Sequence, residues 1–367
     1  MVQILLATAL VSGVSAVAAA LLLLAERFLA RYGPCTIDVN AGDRRLEVEG
    51  GESLLATLMS RQIFIPSACG GKGTCAYCKL KVLDGGGPVA PTEAPLLSAE
   101  ELADHVRISC QVKVRNDMRI EVPGHLLSVR QYRAVVERMA DLTGDIKELW
   151  LRLAEPETIE FVPGQYVQLR APAYGPNPEP VWRAYSIANP PSDAGHVELI
   201  IRLVPGGICT PWVFKVLAEG DEVVFTGPYG EFGLTESGEA MVWVAGGSGM
   251  APFWSIARHM RERQIRRPCT YFFGALRRRD LFLLEEFRQL EKALPDFRFV
   301  PALSAPAEGD RWDGETGLIT EVLERHLAGG APEEAYLCGS GGMVRAAVKV
   351  LTAAGIDRER MFFDEFT

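Results

Sequence analysis

The chain has 367 residues, too many for one compact domain and enough for two or three. Its formal net charge of −9 argues against a nucleic-acid partner. Its 8 cysteines do not form the framework of a secreted disulfide scaffold: four fall into one motif, and Cys35, Cys209, Cys269 and Cys338 are scattered, as in a reducing cytosolic setting.

The first stretch, Val2 to Ala25, carries no charged side chain. As a helix rising 1.5 Å per residue it would be about 35 Å long, enough to cross a hydrocarbon core. No Lys or Arg precedes the run, which is also too long for the apolar region of a signal peptide. Arg27 and Arg31 follow it, so the positive-inside rule predicts a retained single-pass anchor over residues 1–31 in the inner (cytoplasmic) membrane, with everything after it facing the cytoplasm.

Residues 32–126 read as a small mixed α+β unit. Cys35 to Asn40 alternates like a strand, Arg44–Val48 answers it across Gly42-Asp43, Ser53–Met59 reads as a short helix, and Cys78–Leu83 and Met118–Val122 alternate again. Cys69, Cys75 and Cys78 lie in ACGGKGTCAYC, and Cys110 follows at a distance in ISCQV. This C-x5-C-x2-C…C spacing is close to the plant-type ferredoxin pattern, in which four thiolates hold a [2Fe–2S] cluster. Gly70, Gly71 and Gly73 let the backbone wrap closely and aim N–H groups at the sulfurs. A zinc site would normally use two separated knuckles, and a disulfide has no use for the glycine loop. Cys69, Cys75, Cys78 and Cys110 are therefore the expected cluster ligands.

Residues 127–237 are strand-rich: YRAVVERM, ELWLRLA, QYVQLRA, HVELIIRL and EVVF recur at short intervals, which predicts an antiparallel β-barrel. From about Met241 the pattern changes. The unbroken apolar run MVWVA reads as a strand buried on both faces. Strands at Thr270–Phe273, Phe297–Pro301 and Ala335–Leu337 then alternate with helix-like stretches at Pro252–Gln264, Leu281–Leu294, Leu318–Leu327 and Met343–Ala354. Residues 238–367 are thus expected to form an α/β domain around a parallel sheet.

Three motifs sit in the predicted barrel. Arg183-Ala184-Tyr185-Ser186 resembles the RxYS motif of the ferredoxin–NADP reductase superfamily. The resemblance implies an FAD, with Arg183 at its diphosphate, Tyr185 against the isoalloxazine and the Ser186 hydroxyl near N5. An Arg fork suits phosphate, and a Tyr ring stacks on a flat ring. Arg202, then Gly206-Gly207-Ile208-Cys209-Thr210, resembles that superfamily's second phosphate site, which places Arg202, Gly207, Cys209 and Thr210 among the flavin-binding residues. Gly227-Pro228-Tyr229-Gly230-Glu231-Phe232 resembles the turn that closes the barrel.

In the last domain, Gly246-Gly247-Ser248-Gly249-Met250-Ala251-Pro252 joins MVWVA to a helix, where glycines let a diphosphate approach the helix start. The resemblance assigns Gly246, Gly247, Gly249, Met250 and Pro252 to the nicotinamide coenzyme, puts Cys338-Gly339 beside the nicotinamide, and makes Phe366 the terminal aromatic that covers the flavin. Tyr185, Ser186, Cys338 and Phe366 would then surround the reacting rings. Arg277-Arg278-Arg279 could hold a 2′-phosphate, yet Asp280, Glu285 and Glu286 are near, and NADH is the expected coenzyme.

Taken end to end, the order of anchor, ferredoxin, flavin barrel and nicotinamide domain resembles the family of NADH-oxidising F subunits of sodium-translocating NADH:quinone reductases. Two stretches differ from that pattern: a short segment between Arg170 and Arg183, and Gly339-Ser340-Gly341-Gly342-Met343 after Cys338. The resemblance implies an NADH-dependent oxidoreductase. NADH would give a hydride to FAD, and single electrons would pass to the [2Fe–2S] cluster and on to membrane-embedded acceptor subunits or quinone. Two other readings share these cofactors: the reductase component of an oxygenase, and an anchored redox sensor.

Overall fold

The computed structural model describes residues 12–21, 32–175, 177–327 and 329–366. Most of the apolar run Val2–Ala25 lies outside them. Residues 12–21 are helical and exposed, and among the described residues no helix is long and apolar enough to cross a membrane. The chain parts into two compact units between Ser128 and Val129.

The first unit is a five-stranded sheet in the order β2-β1-β5-β3-β4, from β1 (Pro34–Val39), β2 (Arg44–Glu49), β3 (Lys79–Asp84), β4 (Val106–Ile108) and β5 (Met118–Glu121). β1 and β2 pair as an antiparallel hairpin, while β1 and β5 run parallel. The helix Leu54–Ser60 begins where Ser53 Oγ accepts from Ala56 N, and it buries Leu54, Leu55 and Leu58. The Gly-rich cysteine loop runs from this helix to β3.

The second unit holds two sheets. β6 (Arg130–Asp141), β7 (Ile146–Glu155), β8 (Tyr166–Ala171), β9 (Val181–Ser186), β10 (His196–Arg202) and β11 (Glu222–Tyr229) are antiparallel in the order β10-β7-β6-β11-β8-β9. A bridge between Ile187 and Leu199 ties the two edges together and closes the barrel. Alternate residues fill its core: Leu149, Leu151 and Leu153 of β7 face Val197, Leu199 and Ile201 of β10.

The remaining strands are β12 (Met241–Gly246), β13 (Cys269–Ala275), β14 (Phe297–Leu303), β15 (Glu315–Thr316), β16 (Glu334–Ser340) and β17 (Met361–Phe366). They form a parallel sheet in the order β15-β14-β13-β12-β16-β17. Along β12, Met241, Trp243 and Ala245 enter one core and Val242 and Val244 the other, so an uninterrupted apolar run suits a strand covered on both faces. Strand order reverses between β12 and β16, which makes the carboxyl ends of these two strands a topological switch point. The tail Met361–Phe366 is the edge strand of this sheet, paired in parallel with β16.

Candidate functional site

In the first unit the four motif cysteines stand as two pairs. Cys69 and Cys75 share hydrogen bonds, including Cys69 N to Cys75 Sγ at 3.4 Å, and Cys78 lies against Cys110. In each pair one thiol donates a hydrogen bond to the other sulfur. The Cys75 hydrogen bond lowers the Cys69 thiol to about 3 while Cys75 is pushed up. The Cys78 hydrogen bond likewise lowers Cys110 to about 7 while Cys78 is pushed up. Thiolate is the ligating form, so Cys75 and Cys78 would release their protons on binding a metal. Among the described residues no three Cys, His, Asp or Glu side chains converge as they would about one metal ion. Two pairs of sulfurs fit a two-iron centre, with two thiolates for each iron.

The loop's shape depends on backbone that L side chains avoid. Gly70, Gly71 and Gly73 have φ of 68°, 85° and 73°. Ser67 Oγ accepts from Gly71 N at 2.9 Å and fixes the start of the turn. Glu93 and Arg107, both buried, brace the far side as an ion pair, and Arg107 also donates to the carbonyls of Gly87 and Pro88 at 2.8 and 3.0 Å.

In the second unit, Arg183-Ala184-Tyr185-Ser186 forms the end of β9, paired with β8 so that Ser186 lies opposite Tyr166 and Arg183 opposite Leu169. Tyr166 stacks on Tyr229 with ring centroids 5.5 Å apart, and Gly230 crosses its ring so closely that a Cβ would sit 3.1 Å from it. Gln165 Nε2 donates to Gly230 O at 3.0 Å, so the Gly227–Phe232 turn is pinned beside β8 and β9. Thr210 Oγ1 accepts from Val204 N at 2.9 Å and shapes the Gly206-Gly207 turn.

Cys209 is 2 % exposed, and its sulfur bonds with the Tyr185 hydroxyl. Burial pushes its thiol up to about 11. It belongs to the barrel core and braces Tyr185 from behind.

Arg202 ends β10 and reaches the glycine loop that follows β12. Asp145 Oδ2 accepts from its Nε at 2.8 Å, and its Nη1 comes within 3.3 Å of where a Cβ on Gly247 would stand. The guanidinium thus faces the glycine loop after β12.

That loop occupies the switch point. A Cβ on Gly249 would fall 2.3 Å from Cys338 O and 2.9 Å from Gly339 Cα, so only glycine lets the loop after β12 nest against the end of β16. Gly246, Gly247 and Gly249 lead into the helix Met250–Arg263, where Met250 and Pro252 are buried. Open α/β sheets take nucleotides outside the carboxyl ends of their strands at such a crevice.

The residue that sequence reasoning missed is Asp364. It pairs in register with Cys338 on β17, and Ser186 Oγ donates to its Oδ2 at 3.4 Å. Burial raises its carboxyl to about 6 against the pull of the Ser186 hydrogen bond. Burial also raises the Cys338 thiol well above its usual range, with the Asp364 charge adding to the effect. Ser186, Cys338 and Asp364 therefore meet where barrel and parallel sheet join. Phe366 lies two residues further on, opposite Ser340, at 37 % exposure. The only hint of Asp364 in the sequence is its place in the terminal FFDEFT.

Comparison with known proteins gives these sites their class. A 2Fe-2S iron-sulfur cluster binding domain matches residues 37–115, an oxidoreductase FAD-binding domain residues 133–233, and an oxidoreductase NAD-binding domain residues 243–349. The F subunit of the Na(+)-translocating NADH-quinone reductase of Pseudomonas aeruginosa is 37% identical, covering 98% of this chain and 96% of the relative. Its counterpart in Neisseria meningitidis is 34% identical, covering 99% of each. Among solved structures, the Amycolatopsis cytochrome P450 reductase GcoB aligns with a TM-score of 0.73 at 32% identity, over 91% of this chain and 99% of its own. The ferredoxin reductase in carbazole 1,9a-dioxygenase gives a TM-score of 0.69 at 27% identity, over 91% and 98%.

The protein is an NADH-dependent oxidoreductase that carries FAD and a [2Fe–2S] cluster. The chain belongs to the family of F subunits of the Na(+)-translocating NADH-quinone reductase. The alignment with the Pseudomonas relative spans 398 positions, more than the 367 residues here, so that relative carries residues this chain lacks.

Proposed function

We propose that the chain is the NADH-oxidising, membrane-anchored subunit of a quinone reductase, passing electrons to membrane-embedded acceptor subunits or to quinone. The observation that carries this reading is the extent of the match to the quinone-reductase relatives. Coverage of 98% leaves about seven of 367 residues unmatched, so the alignment takes in most of residues 1–31 as well as the three cofactor domains. The P450 reductase match covers 91%. A single apolar segment followed by Arg27 and Arg31 would hold residues 32–367 at the cytoplasmic membrane surface and raise their local concentration at an acceptor there.

Within this reading the cofactors supply the redox chemistry: FAD takes two electrons from NADH, and the cluster carries them singly. The chain supplies position. Cys69, Cys75, Cys78 and Cys110 ligate the cluster. Arg183 and the Gly206–Thr210 turn hold the flavin diphosphate, and Tyr185, backed by Cys209, flanks its ring. Gly246, Gly247, Gly249 and Gly339 cradle the nicotinamide coenzyme, and Arg202, facing Gly247, adds a cation to that cradle. Ser186, Cys338 and Asp364 define the point where the two rings meet.

A second reading, the reductase component of an oxygenase, is favoured by the two structural matches. Fractionation of source cells and affinity purification of the full chain separate the two. Recovery from inner membranes with integral membrane subunits and NADH-dependent quinone reduction is the expected result. Recovery from the soluble fraction with an oxygenase component would overturn it.

A further inference from the structure

Gln111 follows Cys110 directly, and its backbone N–H bonds to Ile108 O at 2.8 Å, which turns the chain back toward the cysteine loop. Its side chain then crosses that loop at Gly73. A Cβ on Gly73 would lie 2.4 Å from Gln111 Nε2, so the glycine leaves the channel through which the carboxamide passes. Nε2 donates to Cys110 Sγ at 3.6 Å. The other end is held as well: Thr92 Oγ1 donates to Gln111 Oε1 at 2.9 Å, which fixes the amide with its N–H side toward sulfur.

Thr92 is itself anchored, because the neighbouring Glu93 is fully buried against Arg107 and accepts from Ala90 N at 2.7 Å and Ile108 N at 3.2 Å. A rigid loop therefore aims one neutral donor at one cysteine sulfur.

We propose that Gln111 is a positioning residue that sets the reduction potential of the cluster, with Thr92 orienting it. The inference rests on the reading of Cys69, Cys75, Cys78 and Cys110 as ligands. An electron added to a thiolate-ligated cluster increases negative charge on its sulfurs, and a hydrogen-bond donor to a ligand sulfur stabilises that reduced state. The carboxamide carries no formal charge, so it favours the reduced form without altering the charge balance of the site.

The test is a spectroelectrochemical titration of the cluster in the full chain, with iron and sulfide content and the low-temperature resonance of the reduced centre measured alongside. Gln111→Leu should keep the cluster but make it harder to reduce, by about tenfold in the oxidised-to-reduced ratio at a fixed potential, a downward shift of about 59 mV for a one-electron couple. Thr92→Val, which leaves every group facing the sulfur in place, should shift the potential in the same direction by less. A loaded Gln111→Leu protein at the wild-type potential or above overturns the proposal. If Gln111→Leu fails to retain its cluster, Thr92→Val decides, and an unchanged potential there overturns it. Failure of the ligand reading looks different: the wild-type chain would then carry no cluster signal at all.

Discussion

Ser186 on β9 and Asp364 on β17 are 178 positions apart in the chain and joined by a 3.4 Å hydrogen bond. The bond links β9 of the barrel to the edge strand β17 of the parallel sheet, at the register position of Cys338. Burial raises Asp364 to about 6, so it changes charge around that pH. Above that pH the carboxylate accepts the Ser186 hydroxyl and fixes it, and below it the added proton releases the hydroxyl. Flavin reduction by NADH should therefore rise as pH increases through about 6. Asp364→Asn should remove that inflection, and Ser186→Ala should slow the step by about 10–100-fold with FAD content intact. Rapid-mixing absorbance of the flavin measures both. An unaltered inflection in Asp364→Asn would assign the titration to another group.

If Cys69 pairs with Cys75 and Cys78 with Cys110 about two irons, as proposed, each thiol is indispensable to one iron. Cys75→Ser should abolish the low-temperature resonance of the reduced cluster. Flavin content and NADH oxidation by a dye that accepts directly from flavin should survive, because the flavin and nicotinamide motifs lie in the other compact unit. A full-strength cluster signal in that variant would strike Cys75 from the ligand set.

Arg183 sits on β9 three residues before Ser186, with its Nη1 donating to Trp182 O at 2.7 Å. A charge-assisted contact with the flavin diphosphate is worth about 1.5–3 kcal/mol, so Arg183→Ala should weaken FAD by about one to two decades. Titration of apoprotein with FAD by fluorescence measures the loss. Full, tightly held FAD in the variant would remove the assigned contact.

Much of this was legible in sequence because it depends on local spacing. The cysteine loop announces itself through cysteine intervals and glycines that only a tight wrap requires. MVWVA reads as a doubly buried strand because no polar residue interrupts it. What sequence could not supply came from tertiary pairing. The tail MFFDEF has adjacent aromatics followed by charges, with no period of two, and it becomes a strand because β16 offers an edge. Asp364 was hidden for that reason. The approach of Arg202, at the end of β10, to Gly247 is likewise a tertiary contact that its neighbours in the chain do not announce. The buried pair of Arg258 and Glu198 left no sequence signal, since each looks like an ordinary surface charge until helix and barrel meet.

Arg258, on the helix Met250–Arg263, donates to Glu198 of β10 and to Ala188 O, and its guanidinium lies 4.5 Å from the centre of the Trp254 ring. Ser255 Oγ reinforces the junction by donating to Asn189 O at 2.7 Å. Burial raises Glu198 to about 7, with Arg258 opposing and Glu148 adding to the rise. A carboxyl raised on folding contributes stability that is fully present below its unfolded value and is lost as pH rises through the folded one. Wild-type stability should thus decline between about pH 4.5 and pH 7, and Glu198→Gln should flatten that decline. Arg258→Met leaves the carboxylate buried without its partner, at a cost of about 3–5 kcal/mol when Glu198 is charged. The loss should be near its full size at pH 8 and clearly smaller at pH 5.5, where Glu198 takes up a proton. Urea unfolding followed by tryptophan fluorescence at the two pH values measures the difference. An Arg258→Met penalty equal at both would show that Glu198 stays ionised throughout, with Arg258 outweighing burial.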